Sequence, residues 1–370
     1  MLTALYNTQI VTGGAIIEGK AVIINQDKIT AVVNENDIPA GAGLIDLKGD
    51  YLAPGFLDLQ IYGAGGALFG GLPSEAALRQ MEVTLLKQGC TGFFATVATN
   101  SDDIVLKAIE SAKAYRKQAI GNFLGLHLEG PYLNAARKGA HPENFIKKAA
   151  LQEVKNWIEL AKGEIKMMTL APELQDDEVI DYLRGQNVIL SSGHSNATYN
   201  QGKQFLNNTI SAVTHLFNAM PPMHHREPGI IPAIFEERPY TSIVADGIHV
   251  SYPMIKLAKR NLCARLFLIT DAVTEASDGT YQHQYKDNRY VMPDGTLSGS
   301  ALSMLLAVAN CVNFADIELA EAVNMASLYP AQLTNLSTKG KVEAGFEADL
   351  IIFDAGLNHK FTVFKGKVHN

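Results

Sequence analysis

Short apolar runs alternate with longer amphipathic stretches through the middle of the chain, which is the pattern of parallel βα units. The apolar runs predict eight strands: Leu52–Gln60, Gly92–Ala98, Phe123–Glu129, Ile165–Leu170, Asn187–Ser192, Ala212–His215, Thr241–Asp246 and Leu266–Asp271. Helical periodicity fills most gaps between them: Ser74–Gly89, Asp102–Lys117, Ala149–Ala161, Asp176–Arg184, Thr198–Asn207 and Tyr252–Asn261. Eight apolar strands favour an α/β fold of the (β/α)8 TIM-like barrel type. An open sheet is the alternative, because a sequence does not show closure.

The two ends of the chain have a different pattern, with short alternating strands separated by Gly, Asn and Asp. These predicted strands are Gln9–Ile17, Lys20–Ile24, Lys28–Val33, Ala348–Phe353 and Lys360–Val368. We expect both termini to build one small β-sandwich domain, from residues 1–51 and 336–370, around a catalytic barrel at 52–335. Before the tail, the pattern predicts a hairpin at Gln282–Gly295 with a Pro293-Asp-Gly turn, and helices at Ser300–Asn313 and Ile317–Ser327.

Composition narrows the class of protein. A chain of 370 residues with 47% hydrophobic content can bury a large core. Its formal charge of −7, without a block of like charges, argues against a nucleic-acid or anionic-membrane partner but allows a local basic pocket for a phosphorylated small molecule. The three scattered cysteines, the absence of a signal-peptide pattern and the absence of an apolar run near ~18 residues predict a soluble, cytoplasmic protein.

Residues with metal-binding or acid-base side chains stand where predicted strands end. In a parallel barrel, the carboxyl ends of all strands open onto one face, so Glu129, His194 and His215 are expected to converge there. Two imidazoles and one carboxylate form a three-ligand set for catalytic zinc that leaves one position open. Asp271 ends the eighth strand, and beside a metal it is suited to act as a general base.

Each of these residues also has a structural alternative. A histidine at a strand end is more often a hydrogen-bonded core or rim residue than a ligand. Glu129 could be half of an ion pair or a charge at a helix start, and Asp271 could cap a helix. The joint pattern favours a metal site, because a buried carboxylate such as Glu129 requires a cation or several hydrogen bonds.

Five segments carry a resemblance to a known family. They are His127-Leu-Glu-Gly-Pro131, Gly193-His-Ser-Asn-Ala197, Thr214-His-Leu-Phe-Asn-Ala-Met220, Ala245-Asp-Gly-Ile-His249 and Thr270-Asp-Ala272. In this order they resemble the signature blocks of the N-acetylglucosamine-6-phosphate deacetylases, within the amidohydrolase superfamily. Pro54-Gly-Phe-Leu-Asp58 and Gly340-Lys-Val-Glu-Ala-Gly345 resemble segments of the wider superfamily, so the similarity extends over nearly the whole chain.

The resemblance implies a role for each matching residue. Glu129, His194 and His215 would bind one divalent metal per subunit, with zinc first and iron, cobalt or manganese as alternatives. Asp271 would be the catalytic acid and base, and His141 would polarise the acetamide carbonyl. Substrate contacts would come from Ala140, His141, Asn218, Ala219, Arg226, His249, Leu297, Ser298 and Gly299. Arg226 and His249 would hold the phosphate, reaching the neighbouring active site of a homodimer.

The first strand departs from the superfamily pattern. Many amidohydrolases carry His-x-His there to hold a second metal, whereas this chain has Gln60-Ile-Tyr62, which predicts a single-metal site. Gln60 would lie behind the ligands or reach the metal through a water. His127 would point away from Glu129 as a supporting or structural residue.

The implied activity is hydrolysis of N-acetylglucosamine 6-phosphate to glucosamine 6-phosphate and acetate, in amino-sugar metabolism. Another amidohydrolase, acting on N-acetylgalactosamine 6-phosphate or on a cyclic amide, is one alternative. The second alternative is a sugar-phosphate binding protein without catalysis.

Overall fold

Eight parallel strands form the central sheet of the computed structural model, which describes residues 2–370. In chain order, β1 to β8 are Phe56–Ile61, Cys90–Ala98, Phe123–Glu129, Ile165–Leu170, Ile189–Ser192, Ala212–Val213, Tyr240–Val244 and Leu266–Ile269. Each strand neighbours the next one along the chain. Beyond β8, the Asp271 amide donates to the Gln60 carbonyl at 3.0 Å, and the Tyr62 amide donates to Ala272 at 2.9 Å. These bonds join the last strand to the first, which confirms the predicted barrel over the open sheet.

Seven helices connect or follow the barrel strands, and three more precede the tail. The seven are Glu75–Leu86, Asp102–Arg116, Leu151–Ala161, Asp177–Gly185, Tyr199–Phe205, Ile231–Glu237 and Tyr252–Leu262; the three are Met304–Phe314, Leu319–Ala326 and Leu328–Leu333. The predicted helices all occur, with bounds shifted by a few residues. Two short helices, Ile231–Glu237 and Leu328–Leu333, were not predicted.

The predicted first strand, Leu52–Gln60, is wrong as a single element. Tyr51–Pro54 pairs with Leu350–Phe353 in a different sheet, and β1 begins only at Phe56. Gly55 separates the two strands, and a Cβ at this position would lie 2.2 Å from Thr91 Oγ1. The apolar run is continuous across the break, so hydrophobicity alone does not reveal it.

Strands from both ends of the chain share one sheet, as predicted for the small β domain. Its order is Lys367–His369, His359–Phe364, Leu350–Phe353, Tyr51–Pro54, Gln9–Thr12 and Ala15–Ile17. A second sheet has the order Lys28–Asn34, Lys20–Asn25, Leu2–Tyr6 and Gly43–Asp46. Buried aliphatic residues of the two sheets, including Leu5, Val22, Leu52 and Ile352, form one core. The domain boundaries after residues 51 and 335 stay a prediction.

The chain divides into two compact units. One comprises the chain up to Asp58 together with Val83–Gly92 and Ser303–Asn370, and the other comprises Leu59–Glu82 and Phe93–Leu302. The second unit contains every residue predicted to bind metal or substrate. It also holds a three-stranded sheet of Gln284–Lys286, Arg289–Val291 and Leu297–Ser300. The predicted Pro293-Asp-Gly turn joins Arg289–Val291 to Leu297–Ser300. The hairpin built on this turn therefore lies further along the chain than the predicted Gln282–Gly295. No helix within residues 2–370 is long and apolar enough to cross a membrane.

Candidate metal centre and substrate pocket

Glu129, His194 and His215 meet at the carboxyl end of the barrel. Glu129 is the last residue of β3, and the two histidines lie just beyond β5 and β6. His215 Nε2 is 3.0 Å from Glu129 Oε1, His194 Nε2 is 3.5 Å from the same oxygen, and the two Nε2 atoms are 3.1 Å apart. All three side chains are buried. The structure therefore brings together the three residues that the sequence pattern indicated.

The backbone turns sharply where these side chains enter the site. His194, His215 and Asp271 adopt positive φ angles of 49°, 33° and 55°. Such angles are uncommon outside glycine and cluster at functional sites. Before His194, a Cβ on Gly193 would lie 2.5 Å from Thr169 Cγ2, so only glycine fits the approach to β4 and β6. Glycine and residues with positive φ thus allow a polar side chain at each of these strand ends to point into the mouth of the barrel.

The three ligand atoms fit a divalent metal ion. Neighbouring ligand atoms of a tetrahedral zinc site with bonds of about 2.0–2.1 Å lie about 3.3 Å apart, close to the three separations found here. The Nδ1 atom of His194 is 2.8 Å from the Arg137 carbonyl oxygen and donates to it, which leaves the lone pair on Nε2. The spacing of these three atoms is therefore compatible with a metal ion between them.

The electrostatics of the cluster suit a cation. Burial raises the pKa of the Glu129 carboxyl, but its interactions with the imidazoles of His141, His194 and His215 together outweigh burial and hold the pKa well below its usual range. Burial, with a smaller contribution from the neighbouring His141, lowers the pKa of His194 to about 4. Burial also lowers the pKa of His215, but the hydrogen bond and charge of Glu129 and the charge of Asp271 together outweigh burial, and the net shift is upward. The pKa shifts of Glu129 and His194 favour the ionised carboxylate and the neutral imidazole that a metal requires, whereas the shift of His215 opposes the neutral form.

His141 belongs to the same cluster, although it lies on a loop and not at a strand end. Its Nε2 atom is 3.2 Å from Glu129 Oε2, and its ring meets the His194 ring edge-on at 4.4 Å between centroids. Glu129, His141 and His194 also offer ligand atoms within 4.8 Å of one another. His141 Nδ1 is buried without a hydrogen-bond partner. The imidazole is thus placed to donate to a group bound beside Glu129.

Asp271 and Gln60 lie beside Glu129, where β8 meets β1. Gln60 Nε2 donates to Asp271 Oδ1 at 2.8 Å and to Glu129 Oε1 at 3.0 Å, so one amide links the two carboxylates directly. Burial raises the pKa of the Asp271 carboxyl above its usual value and Glu129 adds to this rise, while His215 opposes it. A carboxyl with a raised pKa exchanges protons closer to neutral pH, as a general base must.

A cavity of about 250 Å³ opens beside these residues. Besides Glu129, His194, His215 and Asp271, it is lined by nearly all the predicted substrate contacts: Ala140, His141, Asn218, Ala219, His249, Leu297, Ser298 and Gly299. His249 lines the cavity of its own chain, where its Nδ1 lies 2.5 Å from Asp246 Oδ2. Arg226 is the exception, because it is exposed and absent from the lining.

Three aromatic or imidazole residues of the pocket were missed as site residues. Tyr62, Tyr281 and His283 all line the cavity. The Tyr281 hydroxyl donates to the Thr99 carbonyl at 2.7 Å, and His283 Nδ1 is 2.9 Å from Ser298 Oγ. Tyr281 and His283 follow the eighth strand, and loops after barrel strands line the active face. Their position in the loop after the eighth strand could have identified them as pocket residues from the sequence.

His127 lies on the same face of β3 as Glu129, because residues two apart on a strand point the same way, so the prediction that it points away from Glu129 is wrong. Its Nδ1 is 3.0 Å from the Leu59 carbonyl oxygen, and its Nε2 is 2.7 Å from Thr169 Oγ1. Burial lowers its pKa to about 4. Both ring nitrogens therefore have protein partners, and neither is available as a metal ligand.

Comparison with known proteins identifies the family of the chain. A sequence model of the amidohydrolase family matches residues 51–369, and a model of the NagA composite domain matches residues 2–52. The N-acetylglucosamine-6-phosphate deacetylase of Haemophilus influenzae is 33% identical over 99% of this chain and 99% of its own. The Bacillus subtilis deacetylase is 33% identical over 97% of this chain and 95% of its own.

Solved structures of such deacetylases share the whole fold. The enzyme from Pasteurella multocida superposes with a TM-score of 0.94 at 33% identity, and the match covers 100% of both chains. An aspartate-to-alanine mutant from Mycobacterium smegmatis, in complex with N-acetyl-D-glucosamine-6-phosphate, superposes with a TM-score of 0.91 at 26% identity. That match covers 100% of this chain and 98% of the other.

Proposed function

The chain belongs to the amidohydrolase family, and we propose that it hydrolyses N-acetylglucosamine 6-phosphate to glucosamine 6-phosphate and acetate. The convergence of Glu129, His194 and His215 beside Asp271, at the mouth of a cavity lined by the predicted sugar contacts, carries the proposal. Curated relatives that match this chain over nearly its full length are N-acetylglucosamine-6-phosphate deacetylases. The product amine and acetate place the reaction in amino-sugar metabolism.

The proposed cofactor is one divalent metal ion per subunit, held by Glu129, His194 and His215. Zinc is the first choice for two imidazoles and one carboxylate, and iron, cobalt and manganese are alternatives. When bound, such an ion supplies Lewis acidity toward the carbonyl oxygen and lowers the pKa of water.

The chain's own residues supply proton transfer and orientation. One Asp271 oxygen is held by Gln60 at 2.8 Å, so the other oxygen is left to take a proton from the attacking water. The same carboxyl then returns the proton to the leaving nitrogen as the C–N bond breaks. His141 donates toward the carbonyl oxygen as negative charge develops on it.

The phosphate end of the sugar is assigned to the opposite side of the cavity. Asp246 accepts from His249 Nδ1, which holds the ring of His249 where it lines the pocket. Burial raises the pKa of Asp246, but its hydrogen bonds and its proximity to His249 hold the pKa below its usual value, so Asp246 stays an ionised acceptor for His249. Asn218 and Ala219 line the same pocket.

The domain boundaries and a cytosolic location, favoured by three free cysteines, are part of the proposal.

Acetate release from a panel of sugars tests the function. We expect turnover of N-acetylglucosamine 6-phosphate to exceed that of unphosphorylated N-acetylglucosamine by at least about 10²-fold, because charged phosphate contacts are each worth about 1.5–3 kcal/mol. A ratio near one would favour an amidohydrolase with a different substrate. Equal or faster release from N-acetylgalactosamine 6-phosphate would assign the other epimer. Binding of the sugar phosphate without acetate would indicate a binding protein.

Arg226 provides a test of the proposed homodimer. Its exposed guanidinium suits a phosphate, although it does not line the cavity of its own chain. If it completes the neighbouring site, mixing Arg226→Ala subunits with inactive Asp271→Asn subunits should restore turnover, because mixed dimers regain one complete site. The matched control mixes Arg226→Ala with His141→Ala. This second mixture should also recover turnover if Arg226 acts on the neighbouring subunit. If subunit exchange is verified and neither mixture recovers turnover, Arg226 does not belong to the neighbouring site.

A further inference from the structure

The two oxygens of Glu129 have separate sets of partners. Oε1 faces the histidine pair, with His215 Nε2 at 3.0 Å and His194 Nε2 at 3.5 Å. Oε2 is 3.2 Å from His141 Nε2 and also accepts a short hydrogen bond from the Tyr62 hydroxyl. The carboxylate is therefore held in one orientation, with one oxygen directed at the candidate metal position.

The orientation of the Tyr62 hydroxyl is itself determined by its neighbours. Gln60 Nε2 lies 2.9 Å from the phenol oxygen, but its two hydrogens are shared among this oxygen, Glu129 Oε1 and Asp271 Oδ1. Glu129, as an ionised carboxylate, can only accept. The Tyr62 hydroxyl is therefore the donor to Glu129, however Gln60 divides its hydrogens.

Packing fixes the ring that carries this hydroxyl. Tyr62 is only 8% exposed and belongs to a buried apolar cluster with Leu68, Ala98, Val273 and Tyr281. Gly70 lies over the ring, where a Cβ would be 3.0 Å from Tyr62 Cδ1. A ring confined on these sides cannot swing its hydroxyl away from Glu129 without disturbing the cluster.

We propose that Tyr62 is a positioning residue of the metal centre: its hydroxyl engages Glu129 Oε2, so that Glu129 presents Oε1 alone to the ion. The proposal rests on the metal centre of the proposed function. Contacts to metal ligands orient them before the ion arrives, and their loss typically lowers metal affinity by about 10–100-fold. Without the hydroxyl, the carboxylate can rotate and both oxygens can compete for the same position.

Tyr62→Phe tests this role, because it keeps the ring and removes only the hydroxyl. The readout is the zinc dissociation constant, measured by competition with a chromogenic chelator on protein stripped of metal. We expect the constant to rise about 10–100-fold. The melting temperature of the metal-free variant, and its circular dichroism, should show that the fold is retained.

Tyr281→Phe is the matched control. It removes a buried phenol hydroxyl from the same apolar cluster, but that hydroxyl bonds to the Thr99 carbonyl and not to Glu129. We expect its zinc affinity to equal that of the parent. Parent-like affinity in Tyr62→Phe, or equal losses in both variants, would overturn the proposal. The titration uses zinc alone, so an enzyme that binds zinc but releases no acetate would refute the deacetylase function while leaving this inference to be judged separately.

Discussion

Asp271→Asn is expected to lower kcat for acetate release by about 10²–10⁴-fold, the range that general acid-base catalysis contributes. Asparagine has nearly the size of aspartate, and its amide oxygen can still accept from Gln60 Nε2, which donates to Asp271 Oδ1 at 2.8 Å. It cannot take a proton from water at neutral pH. The substitution therefore removes proton transfer and retains the hydrogen bond from Gln60.

The backbone at this position also tolerates the change. Asp271 has a φ of 55°, a left-handed conformation that asparagine adopts more readily than most residues. Bound metal per chain should stay at the parent level, because Asp271 is not one of the three proposed ligands. Metal content by mass spectrometry and steady-state kinetics on N-acetylglucosamine 6-phosphate measure the two quantities on the same sample.

Asp246→Asn is a matched control for Asp271→Asn. Asp246 is another partly buried carboxyl of the same unit, but its partner is His249, on the proposed phosphate side of the pocket. Its loss should raise KM for the phosphorylated sugar more than it lowers kcat, since it weakens binding in the ground and transition states alike. Unchanged kcat in Asp271→Asn would exclude Asp271 as the base. If Asp271→Asn loses both kcat and bound metal, Asp271 has a structural role in the metal site.

The ligands could be predicted from sequence because the barrel topology supplies the missing spatial information. Glu129, His194 and His215 lie up to 86 residues apart, as with the Glu129–His215 pair. Parallel strands nevertheless bring their carboxyl ends to one face. Once eight strands are recognised, polar residues at their carboxyl ends can be predicted to lie close together. Family resemblance was needed for His141, which lies on a loop with no such constraint.

Other features depend on contacts that no local pattern encodes. The break between Tyr51–Pro54 and β1 exists because Gly55 packs against Thr91, which is distant in the sequence. Tyr281 and His283 come from an irregular segment after β8, and they reach the pocket through bonds to Thr99 and Ser298. The first segment is one continuous apolar run that conceals the break, and residues 281–283 form neither helix nor strand, so hydrophobicity gives no register for their side chains.

Glu129→Ala is expected to abolish both metal binding and turnover. Removal of a contact to a ligand typically costs about 10–100-fold in metal affinity, and removal of the ligand itself should cost more. Glu129 is also the only anion among the three proposed ligands, and its carboxylate is the common partner of His141, His194 and His215. Two neutral imidazoles would remain, with no charge to offset that of a divalent cation.

Glu129→Gln separates the charge of this side chain from its size. The glutamine amide fills the same volume and can still accept from Tyr62, so the metal-free fold should melt near the parent temperature. Its neutral oxygen is a poor ligand for zinc, and metal content should fall nearly as far as in Glu129→Ala. Full metal occupancy in either variant, measured by mass spectrometry after dialysis against zinc, would exclude Glu129 as a ligand. His141 would then be the first candidate for the missing donor, because it lies 3.2 Å from Glu129 Oε2 and its ring contacts the His194 ring.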